Sequence, residues 1–151
     1  WKEDLKLLKE IGVNTYRFSI SLARIYPTDE YTVNEEGVKF YKELVAELKK
    51  LNIEPLVTLY HWDMPLWLFK RGGWKTSLAV EWFERYVKTI VDALSDTVKY
   101  WITFNEPQCF IAERASTHRL KKLKHPNCII FHETLCSRTA RRLKLYVVMQ
   151  K

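Results

Sequence analysis

The chain has 151 residues, of which 47% are hydrophobic and 14% aromatic, enough for a globular domain with a substantial core. No apolar run approaches the ~20 residues that a membrane-spanning helix needs, and no signal-peptide pattern is present. The net charge of +7 is uneven: residues 1–112 hold 15 basic and 16 acidic residues, whereas residues 113–151 hold 10 and 2. Composition thus argues against a disordered or membrane-spanning protein, and the charge shift predicts a boundary near residue 112.

The cysteines bear on compartment and on metal binding. Cys109, Cys128 and Cys136 are an odd number and lack the spacing of a metal site. Reduced thiols of this kind are typical of a cytoplasmic protein, since small secreted domains commonly pair their cysteines. We therefore expect a cytoplasmic location, no metal and no cofactor.

The first part of the chain predicts a helix followed by a strand. Residues 1–12 repeat apolar side chains at helical spacing, and Gly12 supplies a C-terminal stop. Residues 15–21 alternate apolar and polar side chains, which predicts a strand with one polar face. Arg17 lies on that face and would need a polar or acidic partner if buried. The pattern by itself favours the simpler interpretation, a face open to water.

Two further helix–strand pairs follow. Residues 24–33 predict a polar loop, Asn34 can cap a helix that ends near Asn52, and residues 53–60 predict a strand buried on both faces. A long connection then leads to a helix over residues 77–94 and a strand over residues 100–106. This alternation predicts a parallel sheet with right-handed crossovers, which is the α/β class. No glycine-rich phosphate loop follows any strand, which counts against a dinucleotide-binding domain.

The third predicted strand ends in Asn105, Glu106 and Pro107. Pro107 has no N–H to extend a ladder, and a residue before proline is pushed out of the α region, so Glu106 has few backbone options. In a regular strand Asn105 and Glu106 would face opposite sides, so both reach one site only if the strand breaks here. A solvated strand end explains the same residues equally well.

Polar or aromatic side chains recur at the C-terminal ends of all three predicted strands. They are residues 17–21 in the first, His61 and Trp62 after the second, and Asn105 and Glu106 after the third. In (β/α) barrels, catalytic groups collect at this end of the strands. The pattern therefore favours a barrel with a site at that edge.

Several segments of the first 112 residues resemble, in order and spacing, the family 1 glycoside hydrolases, the β-glucosidases and their relatives. They include residues 16–21 (YRFSIS), 57–63 (VTLYHWD), 72–74 (GGW) and 103–107 (TFNEP). The resemblance implies a partial (β/α)8 barrel of about three units, formed by residues 1–112. It also implies hydrolysis of β-glycosides with retention of configuration. Proline after Asn105-Glu106 looks more like the β-glucosidases than the family's 6-phosphoglycosidases.

The resemblance also implies a role for each of five residues. Glu106 stands in the acid/base position, and Asn105 in that of the residue that hydrogen-bonds the sugar 2-hydroxyl. His61 and Trp62 match residues that bind the glycone, where an imidazole can bond a hydroxyl and an indole offers an apolar wall plus one N–H. Arg17 matches the arginine that steadies the nucleophile.

The retaining mechanism needs a second carboxylate ~5 to 5.5 Å from the first. The family's nucleophile belongs to a Thr-Glu-Asn-Gly-like motif, which this sequence lacks. The only acids after Glu106 are Glu113 and Glu133, and neither has that context. We therefore expect a fragment of a retaining β-glycosidase, with an incomplete N-terminus, that is inactive by itself.

Residues 113–151 depart from the family pattern and form a basic tail. One explanation is a frameshifted or mis-spliced reading of the gene, which the other two reading frames would test. The alternative function is a non-catalytic binding module whose tail binds nucleic acid in a salt-dependent way, although no nucleic-acid motif accompanies the charges. A lectin-like remnant is a weaker alternative. Two open sheet edges would also predict self-association.

Overall fold

The computed structural model describes residues 1–76 and 78–107. Within these ranges the chain forms three strands, five α-helices and one 3-10 helix. In chain order they are α1 (Lys2–Ile11), β1 (Thr15–Ser19), α2 (Leu22–Ile25), α3 (Glu35–Lys50), β2 (Glu54–Tyr60), α4 (Leu66–Lys70), the 3-10 helix (Gly73–Lys75), α5 (Leu78–Leu94) and β3 (Tyr100–Phe104). The strands pair in the order β1-β2-β3, and both pairings are parallel. The predicted α/β class and parallel sheet are confirmed.

The register of the sheet brings the ends of all three strands together. Ser19 lies opposite Thr58, and Tyr60 lies opposite Phe104. Because the strands are parallel, their C-terminal ends share one edge, which we call the carboxyl edge. The segments that begin at residues 20, 61 and 105 all leave the sheet there.

The helix boundaries follow from the residues that flank them. Gly12 ends α1 at φ 85°, a left-handed conformation that glycine adopts without a steric penalty. Asn34 caps α3, because its side chain accepts a hydrogen bond from the backbone N–H of Gly37. A Cβ at position 37 would lie 2.8 Å from the carbonyl oxygen of Arg24, so this buried glycine lets α2 and α3 approach closely.

The structure differs from the sequence-based prediction in three places. The long connection predicted after the second strand contains α4 and the 3-10 helix. Residues 24–33, predicted as loop, overlap the one-turn helix α2, in which Leu22 and Ile25 are buried and the Ser21 side chain accepts from the Arg24 N–H. One turn is too short to show a periodic pattern. The first and third strands also end earlier than predicted, at Ser19 and Phe104.

Helices α3 and α5 cover one face of the sheet and form the core with it. Val57 and Leu59 of β2 are fully buried, as is Leu48 of α3, and Phe83 of α5 stacks on Phe104 at the end of β3 with ring centroids 4.6 Å apart. Complete burial of these side chains contributes roughly 1.5–3 kcal/mol each.

One buried hydroxyl ties α5 to two strand ends. The Tyr86 hydroxyl donates to the carbonyl oxygen of Leu59 at 2.6 Å and lies 3.2 Å from that of Ile20. Burial raises the pKa of Tyr86 well above its ordinary value, and the nearby Asp63 and Tyr41 add to this. The hydroxyl therefore stays protonated, and its single hydrogen is shared between the two carbonyl oxygens, with the shorter bond to Leu59.

Replacing Tyr86 by phenylalanine is expected to lower the free energy of unfolding by about 1–3 kcal/mol, because buried carbonyl groups lose their donor. Urea denaturation followed by circular dichroism would measure it. Tyr31→Phe is the matched control, since Tyr31 is 72% exposed. Equal, small effects of the two substitutions would show that the buried hydroxyl contributes nothing special.

Candidate active site

The five residues singled out by sequence lie at the carboxyl edge of the sheet. Arg17 projects from β1, His61 and Trp62 directly follow β2, and Asn105 and Glu106 directly follow β3. Hydrogen bonds connect Arg17 and Trp62 to Asn105, and a ring contact connects His61 to Trp62. The structure thus assembles residues that are up to 88 positions apart in the chain.

Arg17 bridges all three strands, although its side chain is exposed. Its Nε donates to the Thr58 hydroxyl of β2 at 3.1 Å, and its Nη2 donates to Oδ1 of Asn105 at 2.5 Å. The polar face of β1 is therefore open to water, as the pattern favoured, yet the guanidinium still has two polar partners. Its positive charge lies beside the carboxyl edge.

Asn105 is held at three of its atoms. Its backbone N–H donates to the carbonyl oxygen of Tyr60 at 2.9 Å, its own carbonyl oxygen accepts from the Trp62 indole at 2.9 Å, and its Oδ1 accepts from Arg17. Only 9% of the residue is exposed. Because Oδ1 is engaged, the side-chain NH2 is the group that can donate to a ligand hydroxyl.

His61 and Trp62 stand edge to face, with ring centroids 5.5 Å apart. Nδ1 of His61 lies 2.9 Å from the Ser19 hydroxyl, so Nε2 is the nitrogen that can meet a ligand. Trp62 is 46% exposed and presents its ring to solvent. Its N–H, which we expected to serve a sugar, is instead used within the protein on Asn105.

Glu106 is exposed at the carboxyl edge and adopts φ 41°. This conformation lies outside the right-handed α region, as expected for a residue before proline, but it is also not extended. Non-glycine residues rarely adopt positive φ. The chain therefore turns sharply after Asn105. This turn allows Asn105 and Glu106, which are consecutive and would face opposite sides in a regular strand, to reach one site.

Two polar residues of the site were missed by sequence reasoning, Ser19 and Thr58. Thr58 is fully buried within an apolar strand, and Ser19 lies directly opposite it in the register. The sequence feature that could have revealed Thr58 is a hydroxyl within a strand otherwise apolar on both faces, because a buried hydroxyl needs a polar partner. That partner, Arg17, becomes evident only once the strand pairing is known.

Asp63 was part of the motif that follows β2, but its environment was not foreseen. Burial raises the pKa of its carboxyl, and the Ser21 hydroxyl and the backbone N–H groups of Ala23 and Leu22 oppose the rise. Within the described residues, its Oδ2 is buried without a hydrogen-bond partner. These donors therefore compensate only part of the cost of burying the charge.

The raised pKa of Asp63 predicts how stability depends on pH. The folded state holds its proton to a higher pH than the unfolded state, whose pKa is near 3.8, so this residue's contribution to stability falls as pH rises through that window. Asp63→Asn removes the titration. Its unfolding free energy relative to the unmodified chain should therefore increase from about pH 4 to pH 7.

Urea denaturation at a series of pH values would measure this difference, in which the other carboxyl groups cancel. Asp29→Asn serves as a control of opposite sign. Hydrogen bonds from the backbone N–H groups of Tyr31 and Thr32 lower the pKa of Asp29, so its contribution is lost as pH falls. A constant difference between Asp63→Asn and the unmodified chain would contradict the assignment.

No group of three or more His, Cys, Asp or Glu side chains able to hold a metal ion occurs in the part of the chain that the structure describes. Within the same part, no helix is both long and apolar enough to cross a membrane.

Comparison with known proteins shows that the chain matches part of a larger architecture. The family model described as Glycosyl hydrolase family 1 matches residues 1–122. The chain is 43% identical over 107 residues to Beta-glucosidase A of Thermotoga maritima, covering 71% of this chain and 24% of that protein. It is 49% identical over 108 residues to Aryl-phospho-beta-D-glucosidase BglH of Bacillus subtilis, covering 70% and 23%.

Solved structures show a similar arrangement. The virulence factor SghA, known from Agrobacterium tumefaciens, in complex with its substrate analogue salicin, matches with a TM-score of 0.70 and 45% identity. That match covers 72% of this chain and 24% of the SghA chain. The chain thus spans about a quarter of the length of the relatives it matches. The three βα units correspond to part of the TIM barrel of these proteins.

Proposed function

Because this chain belongs to glycosyl hydrolase family 1, we propose that it supplies the acid/base half of a retaining β-glycosidase site that acts on β-glucosides. The observation that carries the proposal is the network of Arg17, Trp62 and Asn105 beside Glu106 at the carboxyl edge. In barrels of this type, catalytic groups come from the C-terminal ends of different strands.

Glu106 performs the proton transfers in this proposal. In the first step its carboxylic acid protonates the glycosidic oxygen while a second carboxylate attacks the anomeric carbon. In the second step its carboxylate removes a proton from the water that releases the sugar. Its exposure at the edge gives both leaving group and water access.

The neighbouring side chains hold the sugar ring. The side-chain NH2 of Asn105 donates to the 2-hydroxyl, a contact that strengthens in the transition state. Nε2 of His61 meets another ring hydroxyl, while Ser19 holds Nδ1. The exposed ring of Trp62 supplies an apolar surface for the sugar.

The nucleophile is the part of the reaction that these residues do not supply. Arg17 places a positive charge near the position that the second carboxylate would take, ~5 to 5.5 Å from Glu106. No acid of the 151-residue sequence has the family's nucleophile motif, so the chain by itself is not expected to turn over a glycoside.

The wider assignments rest on sequence. The charge shift near residue 112 supports a separate basic tail, although the family match reaches residue 122. The odd number of cysteines supports a cytoplasmic location. The comparisons lend no support to a nucleic-acid-binding module, and the basic residues of that alternative lie outside the described residues.

A hybrid enzyme would test the role of Glu106. The matching 107-residue segment of the Thermotoga maritima enzyme is replaced by that of this chain, and kcat/KM is measured for phenyl and dinitrophenyl β-glucosides. Glu106→Gln should lower kcat/KM for the phenyl glucoside by roughly 10² to 10⁴, because its leaving group needs a proton. The dinitrophenyl glucoside, whose leaving group needs none, should be nearly unaffected.

The matched control is Glu84→Gln, at an exposed position of α5, which should leave both substrates unchanged. The ratio of the two kcat/KM values does not depend on the fraction of folded enzyme. An equal loss on both glucosides in Glu106→Gln would rule out the acid/base role.

A further inference from the structure

Trp62 adopts a backbone conformation that its side chain disfavours. Its φ is 72°, a left-handed value that is rare for a bulky residue. Such a conformation is strained and persists only where the surroundings determine it. Glu106, the proposed acid/base residue, is another non-glycine residue with positive φ at the same edge.

Burial does not explain what holds Trp62, because nearly half of the residue is exposed. Its indole N–H donates to the carbonyl oxygen of Asn105 at 2.9 Å. The preceding residue, His61, is hydrogen-bonded to the Ser19 hydroxyl of β1. Directed polar contacts, more than packing, therefore set the orientation of this ring.

The Asn105 carbonyl is a special acceptor, because it belongs to the peptide group that leads into Glu106. Two other bonds, to Tyr60 and from Arg17, fix the amide N–H and the side chain of Asn105. Neither of them acts on the following peptide plane. That plane is rigid, so a bond to its oxygen constrains the direction in which the Glu106 backbone begins.

We propose that Trp62 is a positioning residue for Glu106. The indole N–H of Trp62 orients the Asn105–Glu106 peptide group and thereby the carboxyl group of Glu106. The inference rests on the proposed acid/base role of Glu106. It gives the N–H of Trp62 a task other than the sugar contact expected from sequence, and leaves the exposed ring for the sugar.

Nuclear magnetic resonance of the full ¹⁵N-labelled chain tests the positioning directly. In Trp62→Phe, an aromatic ring is kept and the indole N–H is removed, so the backbone amide signal of Glu106 should shift and broaden. Trp67→Phe is the matched control, because the Trp67 N–H also donates to a backbone carbonyl, that of Tyr26, at 2.7 Å. It should leave the Glu106 signal unchanged.

Trp62→Gly provides a second variant with a different folding risk, since glycine relieves the backbone strain while also removing the indole. It should displace the Glu106 signal as well. Unchanged signals of Val57, deep in β2, verify the fold. A Glu106 signal that stays in place in both Trp62 variants, or that moves equally in Trp67→Phe, would overturn the proposal.

The unmodified chain gives a third measurement that needs no variant. The Trp62 indole proton should exchange with solvent at least about tenfold more slowly than that of free tryptophan, because it is hydrogen-bonded. Exchange at the free rate would equally overturn the proposal. None of the three measurements depends on catalytic turnover. The positioning role of Trp62 can therefore fail while the acid/base role of Glu106 stands, and the acid/base role can fail while the positioning role stands.

Discussion

The parallel pairing of three strands is the constraint on which the rest of this structure depends. Parallel strands direct all their C-terminal ends to one edge, whereas an antiparallel sheet would distribute them over two. Arg17, Trp62 and Asn105 meet only because of that direction. The helices that cross over between strands pack their apolar faces against the sheet.

The site is built by polar contacts over a hydrophobic base. Below the edge, aromatic side chains of β2, β3 and α5 pack tightly, with Phe83 in contact with both Tyr60 and Phe104. At the edge, each hydrogen bond contributes only about 0.5–1.5 kcal/mol net, but the bonds have defined directions. The hydrophobic packing therefore provides stability, and the hydrogen bonds at the edge fix the orientation of the polar side chains. The unfavourable backbone angles of Trp62 and Glu106 lie where geometry is needed most.

Coverage of only part of a family 1 barrel accounts for why the proposed site has one carboxylate of a pair. A (β/α)8 barrel draws its catalytic groups from several strands, and in our proposal the three described here supply the acid/base residue and part of the glycone contacts. Identity with both a glucosidase and a phosphoglucosidase is similar, at 43% and 49%. Overall identity thus leaves the phosphorylation state of the sugar open, and Pro107 remains the residue that favours an unphosphorylated glycone.

Sequence by itself located the longer helices and the strands, and it singled out the candidate site residues. Apolar periodicity located α1, α3, α5 and the three strands, because burial of one face leaves a repeating pattern. Asn34 marked a helix start, because a capping side chain acts on its own neighbours. Motif order placed Glu106 and Asn105 in a known family. All of these signals are local in the chain.

Only tertiary structure decided which atoms are free to meet a ligand. The Trp62 N–H and the Asn105 Oδ1 are consumed by bonds between residues 43 and 88 positions apart, which no local pattern encodes. The partners of Arg17 likewise depend on the strand register. The cost of burying the Asp63 carboxyl depends on the residues that pack around it. The short helix α2 also becomes evident only in the tertiary structure, because its single turn is recognised by the burial of Leu22 and Ile25 and not by a repeating pattern.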